Sequence, residues 1–219
     1  MEIAAGLSED GIVVGNTYDK YGTKNPIARR LMAGFSGSLT SLVAKANPKA
    51  IHEVGCGEGY WIRKWRAQGM DARGSDFSEK VIALARENSR REAMPAERAG
   101  GDTESVFSVR SIYDLEAGKD SADLIVCCEV LEHLDKPLEG LKALQRVATN
   151  HVIVSVPREP IWRILNMARG KYWSDLGNTP GHLNHWSSLA FIRLIGQYFE
   201  IQEIRKPLPW TMLLCRVKG

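Results

Sequence analysis

Two groups of residues in this 219-residue sequence have types and spacings suited to chemistry. The first is His52-Glu53-Val54-Gly55-Cys56-Gly57-Glu58-Gly59-Tyr60. Glycines at these positions let the backbone turn sharply and approach a ligand closely. The spacing is G-x-G-x-G, and Tyr60 stands where a dinucleotide fingerprint carries its third glycine. Glu53 would repel a pyrophosphate and suits a cationic ligand such as an aminoacyl sulfonium. A nicotinamide oxidoreductase is therefore disfavoured. Asp76 follows Gly59 by 17 positions, where an acid can accept hydrogen bonds from two ribose hydroxyls.

The second group is Glu129-Val130-Leu131-Glu132-His133, in which 129 and 132 or 133 share one face of a helical turn. Three readings of it are open. In the first, Glu129 meets a cofactor or caps a helix and His133 shapes a pocket. In the second, His133 is a general base, its ordinary pKa near 6.5 suiting proton removal from a hydroxyl. In the third, Glu129, Glu132 and His133 hold a divalent metal, with His182 or His185 of Gly181-His182-Leu183-Asn184-His185-Trp186 adding a nitrogen.

These residues need rigid elements behind them, and the apolar pattern supplies alternating strands and helices. Buried strands are expected at Ala50–Val54, Asp71–Ser75, Val106–Ile112, Ala122–Cys128 and His151–Val156. Helices are expected at Gly59–Gln68, at Glu79–Glu92 capped by Ser78, and from Pro137. This alternation implies a doubly wound α/β sheet with helices on both faces. One or two helices are expected within Ile27–Ala44, and another from Ser187 to Tyr198. The runs Phe199–Ile204 and Thr211–Val217 form an antiparallel pair at one sheet edge.

Both groups then sit at strand ends, the edge where such sheets bind ligands. Residues 157–186 break the alternation. A helix over Pro160–Ala168 is followed by a long aromatic, glycine-containing stretch, read here as a lid. Trp162, Tyr172, Trp173, His182, His185 and Trp186 are its candidates to line an acceptor pocket.

The segments Glu53-Val54-Gly55-Cys56-Gly57-Glu58-Gly59, Gly74-Ser75-Asp76-Phe77-Ser78 and Asp123-Leu124-Ile125-Val126-Cys127-Cys128-Glu129-Val130-Leu131-Glu132-His133-Leu134 resemble the class I S-adenosylmethionine-dependent methyltransferases. The resemblance covers residues 50 to about 157. It implies a three-layer, Rossmann-like sheet of seven strands with the last antiparallel, preceded by N-terminal helices. It also implies that Glu53, Gly55 and Gly57 surround the methionine part of the cofactor and that Asp76 holds the ribose. Cys56, Gly59, Phe77, Ile112 and Cys128 complete the candidate cofactor contacts, with Tyr18 from an N-terminal segment that folds over the cofactor in similar enzymes. The family often has an acid against adenine after the third strand, where this sequence has Ser111-Ile112-Tyr113 with Asp114 displaced. The Glu-x-x-Glu-His…His arrangement looks like that of small-RNA 3′-terminal 2′-O-methyltransferases, and its first part is similar to ubiquinone-pathway O-methyltransferases. The motif also occurs in small-molecule methyltransferases with no evident metal, which weighs toward the first two readings.

One domain is expected over 1–219. It divides into an N-terminal cap (1–47), a cofactor-binding core (48–157), a lid (158–186), and a closing helix and strand pair (187–219). Lys and Arg number 29 against 26 Asp and Glu, a net charge of +3. That surplus, with no appended RNA-binding region, argues against nucleic acid. Cys56, Cys127, Cys128 and Cys215 have no C-x-x-C spacing and suit a reducing cytosol, so a cytoplasmic protein is expected. No apolar run is long enough to insert in a membrane, and the N-terminus has no signal pattern. The function expected is methyl transfer to a small-molecule hydroxyl. A metal-assisted RNA 2′-O-methyltransferase and a cofactor-binding protein without catalysis are the alternatives.

Overall fold

The computed structural model describes residues 1–5, 7–9, 12–16, 19–92 and 103–218. Two short antiparallel strands, β1 (Ser8–Glu9) and β2 (Ile12–Val13), precede helix α1 (Pro26–Ala46). Asn25 caps α1 by accepting from the backbone N–H groups of Ile27 and Ala28, and Asn47 ends it in the left-handed region. This stretch forms one helix, not the two allowed by the sequence. Phe35, Leu39, Leu42 and Val43 form one uninterrupted buried stripe, and that burial outweighs the glycines at 34 and 37.

The core follows as β3 (Ala50–Val54), α2 (Tyr60–Arg66), β4 (Asp71–Asp76), α3 (Glu79–Glu92), α4 (Thr103–Val106), β5 (Phe107–Val109), β6 (Ala122–Cys128), α5 (Pro137–Val147) and β7 (Ala148–Pro157). Helix α6 (Ile161–Ala168), helix α7 (Ser188–Tyr198), β8 (Phe199–Arg205) and β9 (Trp210–Val217) complete it. The seven-stranded sheet has the order β5-β4-β3-β6-β7-β9-β8. All pairs are parallel except those of β9, which is antiparallel to both β7 and β8.

Strand parity sorts the core into two layers. Ile51, Leu124, Val126, Ile153, Met212 and Leu214 face α1, α2 and α3 through Phe35, Leu39, Trp61, Trp65 and Ile82. Ile125, Cys127, Val152, Val154, Leu213 and Cys215 face α5 and α7 through Leu141, Leu144, Phe191 and Ile195. Buried His52 joins strands sideways. Its Nδ1 donates to the carbonyl of Asp120 at 2.8 Å and its Nε2 accepts from the Ser75 hydroxyl at 2.8 Å.

The third core strand is shorter than the expected Val106–Ile112. Ser111 accepts from the Tyr113 N–H and starts a 3-10 turn over Ile112–Asp114, which ends the ladder. Ile112 is thus a buried turn residue, packed with Leu131 and Leu134. The insertion over 158–186 leaves and returns at one point. Arg158 bridges to Trp186, and the Glu159 N–H donates to the Trp186 carbonyl at 3.0 Å. Among the described residues, no helix is long and apolar enough to cross a membrane.

Candidate active site

The chain runs outward from β3 to β5, then returns to lay β6 on the other side of β3. Such a reversal is where open α/β sheets place a ligand crevice, at the carboxyl ends of the strands. Both groups of residues singled out from the sequence lie there. Gly55 takes φ +75°, and a Cβ on it would meet Cγ2 of Val130 at 2.3 Å. The turn therefore needs glycine twice over, for conformation and for space. At Gly57, φ +54°, nothing nearer than 3.8 Å faces a Cβ, so its open side is available to a ligand.

The Gly57 N–H donates to Asp76 Oδ2 at 3.1 Å and the Ser78 N–H to Oδ1 at 3.1 Å. Each oxygen keeps a lone pair for a further donor. Burial raises the Asp76 carboxyl above its usual range, and these backbone donors oppose that shift. Glu53 is pushed up to about 8 by burial, against the pull of Lys20, and one of its oxygens has no partner among the described residues. A cation bound beside it would favour its ionised form.

Glu58, an unassigned loop position in the sequence, proves to be buried and anchors the N-terminal segment. Its Oε1 accepts from the N–H groups of Ala4, at 3.0 Å, and Asn16, at 2.8 Å, and its Oε2 accepts from the Asn16 amide. Glu9 continues this strap over the start of α3 by accepting from the Ser78 hydroxyl at 2.5 Å. Tyr18 lies outside the described residues.

The Glu129–His133 segment departs from the helical turn expected for it. Glu129 adopts φ +59° at the end of β6, and only Leu131–His133 forms a 3-10 turn. The two glutamates therefore diverge. Glu129 accepts from the Ser155 hydroxyl at 3.0 Å and from the indole N–H of Trp210 at 2.6 Å. Burial pushes it up to about 7, with Lys20 and both hydrogen bonds opposing. Glu132 is fully buried with neither carboxylate oxygen partnered among the described residues, so its pKa is driven far upward.

Donor atoms of Glu132, His133 and His182 lie within 4.8 Å of one another. Glu129 is held outside that set, a correction to the four-ligand arrangement. The His133 Nδ1–H donates to the Gly181 carbonyl at 2.9 Å, which leaves Nε2 with its lone pair free. Loss of water lowers the pKa of His133, and lowers that of His182 to about 3, where His133 adds to the effect. Both rings are neutral at pH 7. The 158–186 insertion backs this turn closely. The N–H groups of Leu183 and Asn184 donate to the Glu132 carbonyl, and the Asn184 amide donates to the carbonyls of Leu131 and Leu134.

The lid residues divide. Trp162 stacks on His182 at 5.9 Å between ring centroids and donates its indole N–H to Thr179 at 2.8 Å. Tyr172, at φ +56°, and Leu176, at φ +49°, flank a 3-10 turn that carries Trp173 outward to 66% exposure. His185 is exposed and bonded to Asn178 at 2.7 Å, apart from the other two histidines. Trp186 packs on Phe191 in the α7 layer.

Of the remaining candidates, buried Cys56 fills the space beside Gly74, and Gly59 starts α2 at φ +74°. Phe77 is 49% exposed just beyond β4. Cys128 bonds to Ser155, and burial raises its thiol pKa. Lys20, Glu58, Ser155, Asn184 and Trp210 are the site residues missed from sequence. Glu58 lies within the glycine loop and Asn184 within the 181–186 stretch, while Lys20, Ser155 and Trp210 come from segments with no motif of their own.

A family model described as a methyltransferase domain matches residues 27–201. The chain belongs to the methyltransferase domain family. The match takes in α1, the glycine loop, Asp76, the Glu129–His133 turn and the lid. A ubiquinone biosynthesis O-methyltransferase of Methylococcus capsulatus is 30% identical over 114 residues, 52% of this chain and 43% of the relative. One from Pasteurella multocida is 22% identical over 80% of this chain and 76% of its own length. The first match thus spans less than half of that relative.

Two solved structures share the fold. Magnesium protoporphyrin IX methyltransferase of Synechocystis with bound SAH superposes with a TM-score of 0.65 at 18% identity, covering 90% of each chain. The methyltransferase domain of bacterial-CtHen1-CN superposes at 0.62 with 20% identity, covering 85% of this chain and all of that one (100%). The methyltransferase domain described here is therefore a three-layer, Rossmann-like seven-stranded sheet.

Proposed function

We propose that this domain transfers the sulfonium methyl group of S-adenosylmethionine to a hydroxyl oxygen of a small molecule. The observation that carries the reading is the loop at the strand reversal. Gly57 presents an open face beside Asp76, whose carboxylate keeps lone pairs for ribose hydroxyls, and the unpartnered Glu53 stands ready for a cation. The donor supplies an electrophilic methyl on a positive sulfur. Glu53 offsets positive charge on its aminoacyl side, and Asp76 fixes the ribose. The lid excludes water and aligns the acceptor for in-line displacement. Neutral His133, with Nε2 free, takes the hydroxyl proton as oxygen attacks. The O-methyltransferase names of the relatives support oxygen as the acceptor atom.

The proximity of Glu132, His133 and His182 favours a second reading, in which these residues hold a divalent metal. One carboxylate and two neutral imidazoles suit such an ion, and two orphaned carboxylate oxygens fit it. When bound, it would supply Lewis acidity to the acceptor oxygen. The residues themselves would do the holding, with Gly181 orienting the His133 ring.

Calorimetry with S-adenosylmethionine tests the donor assignment. Asp76→Ala is expected to weaken binding at least tenfold, since each lost bond to a charged acceptor is worth about 1.5–3 kcal/mol. Unchanged affinity in a folded variant would remove Asp76 from the site. A labelled-methyl panel of catechols, phenols and a small RNA with a free 3′ end tests the acceptor class. Methylation of the RNA alone would overturn the small-molecule reading.

A further inference from the structure

Trp210 opens β9, yet its indole reaches the end of β6. Its Nε1–H donates to Glu129 Oε2 at 2.6 Å, while the Ser155 hydroxyl donates to Oε1 at 3.0 Å. Both oxygens of one carboxylate are thus held from two neighbouring strands, β7 and β9. The indole is itself fixed. It is 6% exposed, with Phe35 of α1 edge-on at 5.1 Å and Trp162 of the lid helix at 5.9 Å. Glu129 sits at φ +59°, a region glutamate rarely adopts, so this conformation must be imposed by its surroundings. Both donors hold the Glu129 carboxylate on the β7 and β9 side.

We propose that Trp210 is the positioning residue for Glu129. Its N–H fixes the carboxylate toward β7 and β9, so that Glu129 faces the reacting groups as a separate acid and stays out of the Glu132–His133–His182 cluster. The inference rests on the reading of this crevice as the site of methyl transfer. The ring contacts hold the indole, and the N–H does the positioning. A phenyl ring would keep much of the packing and lose the hydrogen bond, so packing and positioning are separable.

The test compares Trp210→Phe, Glu129→Gln and the double variant, using labelled S-adenosylmethionine and catechol as the probe acceptor. Expected are a kcat about tenfold lower in Trp210→Phe, an unchanged donor Kd, and no further loss when Trp210→Phe is added to Glu129→Gln. Ser155→Ala should show the same dependence on Glu129, and it serves if Trp210→Phe fails to fold. A second readout needs no acceptor. In the 15N spectrum, the indole signal that Trp210→Phe removes should move upfield in Glu129→Gln and stay in place in Glu132→Gln.

A normal kcat in Glu129→Gln would sink the role given to Glu129 and this inference with it. An impaired Glu129→Gln, with Trp210→Phe either harmless or equally harmful in both backgrounds, would overturn the inference alone. An indole signal that ignores Glu129→Gln would overturn it whatever the kinetics.

Discussion

His133 gives its Nδ1 proton to the Gly181 carbonyl, and that single bond decides what the other nitrogen can do. Nε2 is left as a base or as a ligand, and the two roles separate by experiment. As a base, His133→Ala should cost about 10²–10⁴-fold in kcat with donor binding kept. The neutral ring is the active form and its pKa is lowered. Activity should therefore hold through neutral pH and fall only as pH drops through a value below 6.5, with no response to EDTA. As a ligand, EDTA should abolish activity, Mg²⁺ or Mn²⁺ should restore it, and Glu132→Gln should be as damaging as His133→Ala. A near-normal kcat in His133→Ala, with no EDTA effect on the parent, would leave both roles without support. The sequence brought Glu129, Glu132 and His133 forward together because they are contiguous. It could not separate the two glutamates, because the direction of Glu129 is set by Trp210, 81 positions further on.

One side-chain amide adds to the backbone bonds that hold the 158–186 insertion against the Glu129–His133 segment. Asn184 bridges the carbonyls of Leu131 and Leu134, at 3.3 and 2.6 Å, and so braces the turn that carries Glu132 and His133. Asn184→Ala leaves both carbonyls without that donor and should cost about 1–3 kcal/mol of stability. If the brace sets the lid, the acceptor KM should rise several-fold while donor affinity stays constant. An unchanged KM would make Asn184 a purely structural residue. Elements governed by local chemistry were legible in the sequence. Ser187 accepts from the Ala190 N–H and starts α7 where its capping role required, and β6 matches its apolar run end to end. Elements decided by backbone conformation were not legible. Tyr172 and Leu176 take positive φ, and Trp173 between them is left exposed despite its place in an aromatic stretch. The 3-10 turn at Ser111 cut short β5 in the same way, through a side-chain bond that competes with the ladder.

At the scale of the whole molecule, the order β5-β4-β3-β6-β7-β9-β8 follows from alternating segments, each βα step extending the sheet by one strand. The expected antiparallel pair at the edge, Phe199–Ile204 with Thr211–Val217, was legible and forms as β8 and β9. The placing of the later strand inside the earlier one fits their patterns, since Trp210–Val217 is nearly all apolar and buried while Phe199–Arg205 is interrupted by Glu200, Gln202 and Glu203. That placing bears on the order in which the chain is made. Among the described strands, β8 pairs with β9 alone, and β7 lacks a second neighbour until β9 arrives. While a ribosome is still adding residues up to Arg205, β7 presents a bare hydrogen-bonding edge along Val152–Val156, and β8 has no ladder to join. Such an edge invites pairing with other chains. A version ending at Arg205 should aggregate, or elute well above its monomer size on gel filtration, although it carries the whole glycine loop, Asp76 and Glu129. A well-folded monomer of that length would contradict this. Strand β9 thus closes the nascent sheet and delivers Trp210 to Glu129 in one event, so a chain lacking β9 is denied both a sealed sheet and a finished site.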